Sequence, residues 1–286
     1  MRCSRPSLVL ALTVLPLSGC TGDSAPDATE DSGSPPNTLR DSATDIEDSG
    51  KSGTEGTSDC TGSTVWPPQQ SVLTVGTASA YLHIPATLPP CAPLVVFGHG
   101  GELPGTFQEG RWSDTLGTGL AGLADVRGFV LLVPGVGEDG LDHHVWSRTE
   151  EGATEVLSLV EAVWGGVDID RSRTWYLGQS AGGFMGAWLG LNHPDPWSAV
   201  GVISAGLTED YPDPPPTHLL PFFVAHDPND AWVPYTTGQA LVEELEDHGH
   251  RVEFQDWSLG SDGHSWVPGL SEAALDGLTS LSGGKP

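Results

Sequence analysis

The segment from Arg173 to Pro194 constrains the fold of this chain more than any other stretch of the sequence. Its first part, Thr174–Leu177, is a short apolar run of β-prone residues, which predicts a buried strand. Its last part has the length and apolar content of a helix, and that helix must end before Pro194 because proline cannot continue it. Between the two parts lies the pattern Gly178-Gln179-Ser180-Ala181-Gly182.

This GxSxG pattern is typical of a strained turn from a strand into a helix, which exposes the serine above the edge of a sheet. Three glycines, Gly182, Gly186 and Gly190, recur every fourth residue along the predicted helix. A glycine inside a helix costs about 1 kcal/mol relative to alanine, so this stripe predicts close approach by a neighbouring element. Ser180 is therefore a candidate nucleophile. The alternative is a glycine-rich core helix that follows an unreactive serine turn.

Residues 1–20 have the pattern of a secretory signal, with two arginines followed by an apolar run from Leu8 to Leu17. The run is too short to span a bilayer. Its ending, Leu17-Ser18-Gly19-Cys20, resembles the lipobox of bacterial lipoproteins. That resemblance implies cleavage before Cys20, lipidation of its thiol, and a location at the outer membrane or cell surface with membrane contact through the lipid alone. The alternative is an ordinary cleaved signal and an extracellular protein.

Residues 21–59 contain ten acidic and two basic side chains and almost no large apolar ones. This composition predicts a disordered acidic tether, because the segment cannot bury enough surface to fold. Residues 60–286 then form one catalytic domain with 28 acidic and 7 basic residues. Such a negative charge argues against a nucleic-acid partner and against adsorption to anionic lipid. We expect a monomer.

The order of predicted elements within the domain indicates an α/β fold. Two alternating β-prone runs in Ser71–Pro85 predict an antiparallel hairpin. Buried strands then alternate with helices, which predicts a mostly parallel sheet with helices on both faces. Only about a dozen residues separate the strands predicted at 199–204 and 219–225, so there is no room for a cap domain. Cys60 and Cys91, the two cysteines of the exported domain, predict one disulfide.

A serine hydroxyl becomes a nucleophile when a histidine takes its proton and a carboxylate orients that histidine. Ser180, Asp230 and His264 each follow a predicted strand, in this order along the chain. Because parallel strands place their carboxyl ends at one edge, these side chains are expected to meet there. Asp227 is a rival for the acid, since it lies nearer the end of its strand. The two aspartates stay open as alternatives at this point.

The tetrahedral intermediate of acyl transfer needs N–H donors, and we expect them from Ala181 and from Gly101. The segment 137–144 gathers acidic and histidine residues, but nothing in the sequence fixes a metal geometry, and we predict neither a metal nor a cofactor. Of the remaining histidines, His248 and His250 flank a helix end and are expected to be solvated, whereas His226 is expected to shape the acid loop.

Four motifs in order, PLVVFGHGG, GQSAGG, DAWVPY and GHSW, resemble the extracellular polyhydroxybutyrate depolymerase and feruloyl esterase group of α/β-hydrolases. The resemblance covers residues 60–286. It implies hydrolysis of carboxylic esters without a metal or cofactor, with Ser180, Asp230 and His264 as the triad. The sequence departs from the group at 226–229, where relatives usually have a His-Gly turn, and at Glu102, where relatives commonly keep glycine.

Two other functions remain open at this point. A serine peptidase of the prolyl-oligopeptidase type shares the GxSxG turn and the acid loop, but this chain lacks the propeller domain that such enzymes usually carry. A binding module on an inactive hydrolase scaffold is the other alternative. Four tryptophans are expected around the serine, and they favour short-chain, aryl or hydroxyalkanoate esters, including polymers, over long-chain triglycerides. They are Trp112, Trp146, Trp232 and Trp266.

Overall fold

The computed structural model describes residues 60–62, 66–101, 118–135, 147–207, 211–212, 215–216 and 218–283. All of them belong to one compact unit, Thr54–Pro286. The predicted signal with its lipidation site Cys20 and the predicted tether lie outside the described residues. The segment 137–144, Glu102, Trp112 and Trp146 lie outside them as well.

Eight strands form a single sheet in the order β1-β2-β4-β3-β5-β6-β7-β8. β1 and β2 pair antiparallel, β2 pairs antiparallel with β4, and all other neighbours are parallel. The hairpin that the sequence predicts is therefore the edge of a mostly parallel sheet. The strands are Gln69–Val75 (β1), Ala78–Ile84 (β2), Ala92–Gly98 (β3), Val130–Pro134 (β4), Ile169–Gln179 (β5), Ala199–Ile203 (β6), Phe222–His226 (β7) and Val252–Asp256 (β8).

Helices cover both faces of the sheet, as the sequence predicts. The described helices are Leu120–Arg127 (α1), Glu150–Gly166 (α2), Ala181–Asn192 (α3), Tyr235–Asp247 (α4) and Leu270–Leu281 (α5). Buried side chains of α2, α3 and α4 form one core with the sheet, and those of α1 and α5 form a second core on the opposite face. β3, β4, β6 and β7 are buried throughout, which explains their continuous apolar sequences.

The strand before the serine is longer than the sequence predicts. It begins at Ile169 instead of Thr174, and its pairing with β3 shifts register between Ala92 and Leu94. The extra part is mostly polar, so the pattern of apolar residues does not predict it. Asp170 accepts hydrogen bonds there from Ser172 and from the Arg173 guanidinium, whose Nε lies 2.8 Å away.

The predicted disulfide between Cys60 and Cys91 is present. Cys60 also forms an antiparallel bridge with Asp170, and the Asp168 carboxylate accepts the backbone N–H groups of Gly62 and Cys91. These contacts join the start of the domain to the amino ends of β3 and β5, the edge opposite Ser180.

Replacing both disulfide cysteines by serine is expected to lower the free energy of unfolding by about 3–4 kcal/mol. The disulfide closes a loop with a sequence separation of 31 residues. The expected loss equals the stabilisation that such a cross-link gives by lowering the conformational entropy of the unfolded chain. Urea unfolding of the wild type and the double variant measures the difference. Activity of the folded variant should be unchanged because the disulfide lies at the far edge of the sheet. Equal unfolding midpoints would contradict the prediction.

The connection between β6 and β7 spans residues 204–221, a little longer than predicted and still too short for a cap domain. The predicted fold class is thus confirmed. Among the helices of the described part, none is long and apolar enough to cross a membrane.

Candidate active site

Ser180 lies in a strained turn between β5 and α3, with φ 51° and ψ −121°. A non-glycine residue in such a conformation costs on the order of 1–3 kcal/mol and persists only where its surroundings hold it. Two backbone hydrogen bonds hold this turn. Ser180 N–H donates to the Ile203 carbonyl at 2.9 Å, and Gly182 N–H donates to the His99 carbonyl at 3.0 Å.

Glycines around Ser180 allow this turn to form, as the sequence predicts. A Cβ at Gly178 would lie 2.3 Å from the Gly182 carbonyl oxygen, and one at Gly182 would lie 2.1 Å from that of Gly98. The rest of the stripe meets side chains of the sheet: a Cβ would be 2.6 Å from the Tyr176 ring at Gly186 and 2.9 Å from Phe222 at Gly190. Close packing of α3 against β3, β5 and β7 therefore explains why the helix keeps Gly182, Gly186 and Gly190.

His264 and Asp230 are brought together by the loops after β8 and β7. His264 Nδ1 lies 2.8 Å from Asp230 Oδ2. The other carboxylate oxygen accepts the backbone N–H groups of Trp232 and Val233 at 2.8 and 2.9 Å. The Asp230 side chain is fully buried. Burial alone would raise the pKa of Asp230, but the hydrogen bonds from His264, Val233 and Trp232 outweigh it and hold the pKa below its usual value.

Asp227, the rival acid, has a different environment. Its carboxylate accepts the backbone N–H of Asn229 at 2.8 Å and that of Leu259 at 2.7 Å. These bonds lower its pKa below the usual value. They also tie the start of the acid loop to the segment before His264. Asp227 is thus a structural part of this loop, and the imidazole of His264 faces Asp230.

Contacts from three sides fix the position of the His264 loop. The side-chain amide of Gln179 donates to the His264 carbonyl at 2.6 Å, and Asp262 Oδ1 accepts the His264 backbone N–H at 3.1 Å. Gly263 has a φ of 68°, and a Cβ there would lie 2.7 Å from the Asp230 Cα. Sequence reasoning missed Gln179 and Asp262. Gln179 could have been considered, because the residue that precedes the serine in GxSxG lies at the same edge of the sheet as the serine.

Ser180 and His264 line the same open cleft at the carboxyl edge of the sheet. The cleft has a volume of 580 Å³. Its described lining also includes both residues that the sequence predicts as oxyanion donors and two of the four tryptophans: Gly101, Ala181, Trp232 and Trp266. Ala181 is the first residue of α3, so its N–H has no acceptor within the helix and can donate to a bound oxygen. The cleft therefore places the candidate nucleophile, the candidate base and the candidate N–H donors around one space.

The two tryptophans differ in exposure. Trp232 is 73% exposed at the cleft. Trp266 packs edge to face on Phe97 with ring centroids 5.3 Å apart, and its indole N–H donates to Ser271. Trp266 is thus largely a packing residue with one side toward the cleft, and Trp232 is the aromatic surface that a substrate can meet.

The expectation for His250 was wrong. This side chain is 4% exposed and lies between the Leu220 carbonyl and the Tyr211 hydroxyl, each 2.7 Å from a ring nitrogen. Burial lowers its pKa. Tyr211 also stacks on His248, so the loop after β6 packs over both rings. A sequence that places histidines at a helix end does not reveal such a loop.

Within the described ranges, no group of three or more His, Cys, Asp or Glu side chains is arranged to bind a metal.

Comparison with known proteins gives a family match over residues 78–210, slightly less than half of the chain. The matching family is described as esterase PHB depolymerase. Poly(3-hydroxyalkanoate) depolymerase C of Paucimonas lemoignei is 24% identical over 140 residues. That alignment covers 46% of this chain and 32% of the depolymerase, so the chain spans about a third of its relative.

Solved structures agree with the sheet and helix arrangement over most of the chain. Esterase PE8 matches with a TM-score of 0.54 and 18% identity, over 76% of this chain and 100% of the esterase. The chain has an α/β-hydrolase fold. A Bacteroides ovatus protein assigned as a dipeptidyl aminopeptidase IV matches with a TM-score of 0.56 and 15% identity, over 74% of this chain and 35% of that protein. Since an esterase and a peptidase share this α/β-hydrolase fold, the fold alone does not select the reaction.

Proposed function

We propose that this α/β-hydrolase is a serine esterase that cleaves carboxylic esters through Ser180, His264 and Asp230. One observation carries the proposal: Ser180 and His264 line one cleft, and His264 is bound to a fully buried carboxylate. The family match to esterase PHB depolymerases supports the ester over other acyl substrates.

The reaction follows from the roles of these side chains. His264 takes the proton of the Ser180 hydroxyl as the serine oxygen bonds to the ester carbonyl carbon. The carbonyl oxygen becomes an oxyanion, which the N–H groups of Ala181 and Gly101 stabilise. The C–O bond to the alcohol breaks, and the alcohol leaves with the proton from His264. Water then attacks the acyl-serine by the same steps in reverse and releases the acid.

Asp230 keeps the proton of His264 on Nδ1, so that Nε2 is available to the serine. The two carboxylate oxygens of Asp230 contact four N–H donors, two from the backbone and two from histidine rings. These contacts fix the carboxylate before a substrate binds. A base that is oriented in advance lowers the entropic part of the barrier.

The proposed substrates are short-chain, aryl or hydroxyalkanoate esters, including polyester chains. The cleft is open and the link of residues 204–221 is too short to build a cap over it. We therefore expect faster hydrolysis of short-chain and hydroxyalkanoate esters than of long-chain triglycerides. Initial rates across acyl chain lengths at matched concentration test this order. A maximum at long chains with interfacial activation would contradict it.

Replacing Trp232 by alanine is expected to slow hydrolysis of an insoluble polyester about 10-fold while a small soluble ester is affected less. The exposed indole offers a flat apolar surface beside the serine, and its loss removes contact worth about 1.5 kcal/mol. The Trp232 backbone N–H still binds Asp230 in the variant, so the triad is kept. Val126→Ala, which removes exposed apolar surface on α1, is the control. Equal losses on both substrates would contradict a polymer-binding role for Trp232.

A peptidase is the second candidate, favoured by the structural match to the aminopeptidase-like protein. That match covers 35% of the neighbour, so most of its length has no counterpart in this chain. Assay of peptide amides beside esters of the same acyl group separates the two reactions.

Export with a lipid on Cys20 is proposed for the cellular location, and the support is the sequence of residues 1–20 alone. Mass spectrometry of the mature N-terminus tests it.

A further inference from the structure

A second histidine contacts the carboxylate of the proposed triad. His226 ends β7 and is completely buried. Its Nε2 lies 3.1 Å from the Val233 carbonyl oxygen and 3.3 Å from Asp230 Oδ2. The Asp230 side chain is also fully buried, and the same Oδ2 accepts from His264. Two imidazoles therefore share one oxygen of a buried carboxylate, with His226 on the buried side and His264 on the side of the cleft.

The surroundings of His226 fix its tautomer. Nε2 faces two oxygen atoms that can only accept, so the hydrogen must be on Nε2. Nδ1 is buried and has no hydrogen-bond partner among the described residues. The Val233 and Asp230 oxygens that face Nε2 are held in place, because a buried acceptor that moves away from its donor loses a hydrogen bond at a cost in free energy.

Packing fixes the plane of the ring. A Cβ at Gly238 would lie 2.5 Å from His226 Nδ1, so only glycine allows α4 to cover this side. The Tyr235 ring meets the imidazole edge to face with centroids 5.8 Å apart. The Trp257 backbone N–H donates to the His226 carbonyl at 3.1 Å. A ring packed against Gly238 and Tyr235 on a hydrogen-bonded backbone can act as a fixed donor.

We propose that His226 is a positioning residue, whose Nε2–H binds the Val233 carbonyl and contacts Asp230 Oδ2 and thereby fixes the carboxylate toward His264. This role rests on the proposed esterase function. Val233 is held at both ends, since its own N–H donates to Asp230 Oδ1 at 2.9 Å. His226 thus acts on Asp230 in two ways. It fixes the turn at Val233, and its N–H partly compensates the negative charge of the carboxylate directly.

Sharing of the charge has a measurable consequence. Without His226, the negative charge on Asp230 acts on His264 alone and favours the protonated imidazole more strongly. The acid limb of the pH–rate profile should then move to higher pH, because the base must lose its proton before it can accept one from Ser180. The other titratable groups around His226 are Asp227, Tyr235 and Asp256, which accepts the Tyr235 hydroxyl. None of these three side chains is replaced in the His226 variants below.

The test compares His226→Leu, which has no donor, with His226→Gln, whose side-chain N–H reaches as far as Nε2. For His226→Leu we expect kcat/KM on a soluble aryl ester to fall about 10-fold. Its acid limb should move up by about 0.5–1 pH unit. His226→Gln should recover most of the rate and the original limb. Tyr235→Phe keeps the ring against His226 and is the matched control, with an unchanged pH profile.

An acid limb of His226→Leu equal to that of the wild type would overturn the proposal, and so would a glutamine variant that behaves like the leucine variant. The pH dependence of labelling by a fluorophosphonate gives the same comparison without an ester substrate. A wild type that labels at Ser180 but hydrolyses no ester would refute the proposed function and leave this test intact. Should the leucine variant fail to fold, His226→Asn takes its place, because its shorter side-chain amide does not reach the position of Nε2. An unshifted limb of the labelling profile in His226→Asn would overturn the proposal.

Discussion

Replacing Ser180 by alanine is expected to lower kcat for ester hydrolysis by about 10⁶-fold. The change removes the oxygen that forms the acyl-enzyme and leaves the cleft, the N–H donors and the His264–Asp230 pair in place. Circular dichroism and the unfolding midpoint should match those of the wild type, since Ser180 keeps its turn through backbone bonds. Initial rates on a soluble aryl ester measure the effect. Retention of more than a few per cent of the activity would exclude Ser180 as the nucleophile.

Ser180→Gly is the matched variant for this experiment. It is equally inactive by the same reasoning, but glycine adopts a φ of 51° without strain. We expect it to be more stable than Ser180→Ala by about 1 kcal/mol. A difference of this sign shows that the turn is strained in the wild type, and the strain is then part of what exposes the serine.

Replacing Asp230 by asparagine is expected to lower kcat by about 10⁴-fold with the fold preserved. Asparagine keeps an acceptor for the N–H groups of Trp232 and Val233 but no longer holds the proton of His264 on Nδ1. Assays at equal concentrations of folded protein measure the loss.

The comparison that decides between the two acids is Asp227→Asn. This variant should keep its activity when folded and lose about 1–3 kcal/mol of stability. An NH₂ group replaces one of the two carboxylate oxygens, so the backbone N–H of Asn229 or Leu259 loses its acceptor. A larger loss of kcat in Asp227→Asn than in Asp230→Asn would show that the acid is Asp227.

The stability difference at Asp227 should depend on pH. Its pKa is lowered in the folded protein by the hydrogen bonds from Asn229 and Leu259. A lowered pKa stabilises the fold fully above the unfolded value of about 3.9, and the contribution is lost as the pH falls through the folded pKa. The difference between wild type and Asp227→Asn should therefore shrink below about pH 4 in urea unfolding series.

Much of this fold could be predicted from the sequence because its strands are buried on both faces. Continuous apolar runs such as that in β3 and a glycine stripe such as that in α3 are direct consequences of packing in the middle of a layered sheet. Chain order and strand ends predicted that Ser180, His264 and an aspartate of the loop after β7 would lie at one edge, since all of them follow strands of one mostly parallel sheet.

The parts that were not predictable depend on contacts between distant loops. Residues 170–173 of β5 are polar, and this part of the strand bridges to Cys60, which is distant in the sequence. Two aspartates three residues apart could not be ranked from the sequence. The bonds from Leu259 to Asp227 and from His264 to Asp230 distinguish them. The contact between His226 and Asp230 was not predictable either, because it depends on how the end of β7 and the turn at Val233 lie relative to each other.

The most direct test of the catalytic assignment is to label the folded protein with a fluorophosphonate and locate the adduct by mass spectrometry of the peptides. We expect one adduct per chain, on Ser180, and none in Asp230→Asn under the same short exposure. No labelling of the wild type, or an adduct on another serine, would contradict the assignment of Ser180 as a nucleophile activated by His264 and Asp230.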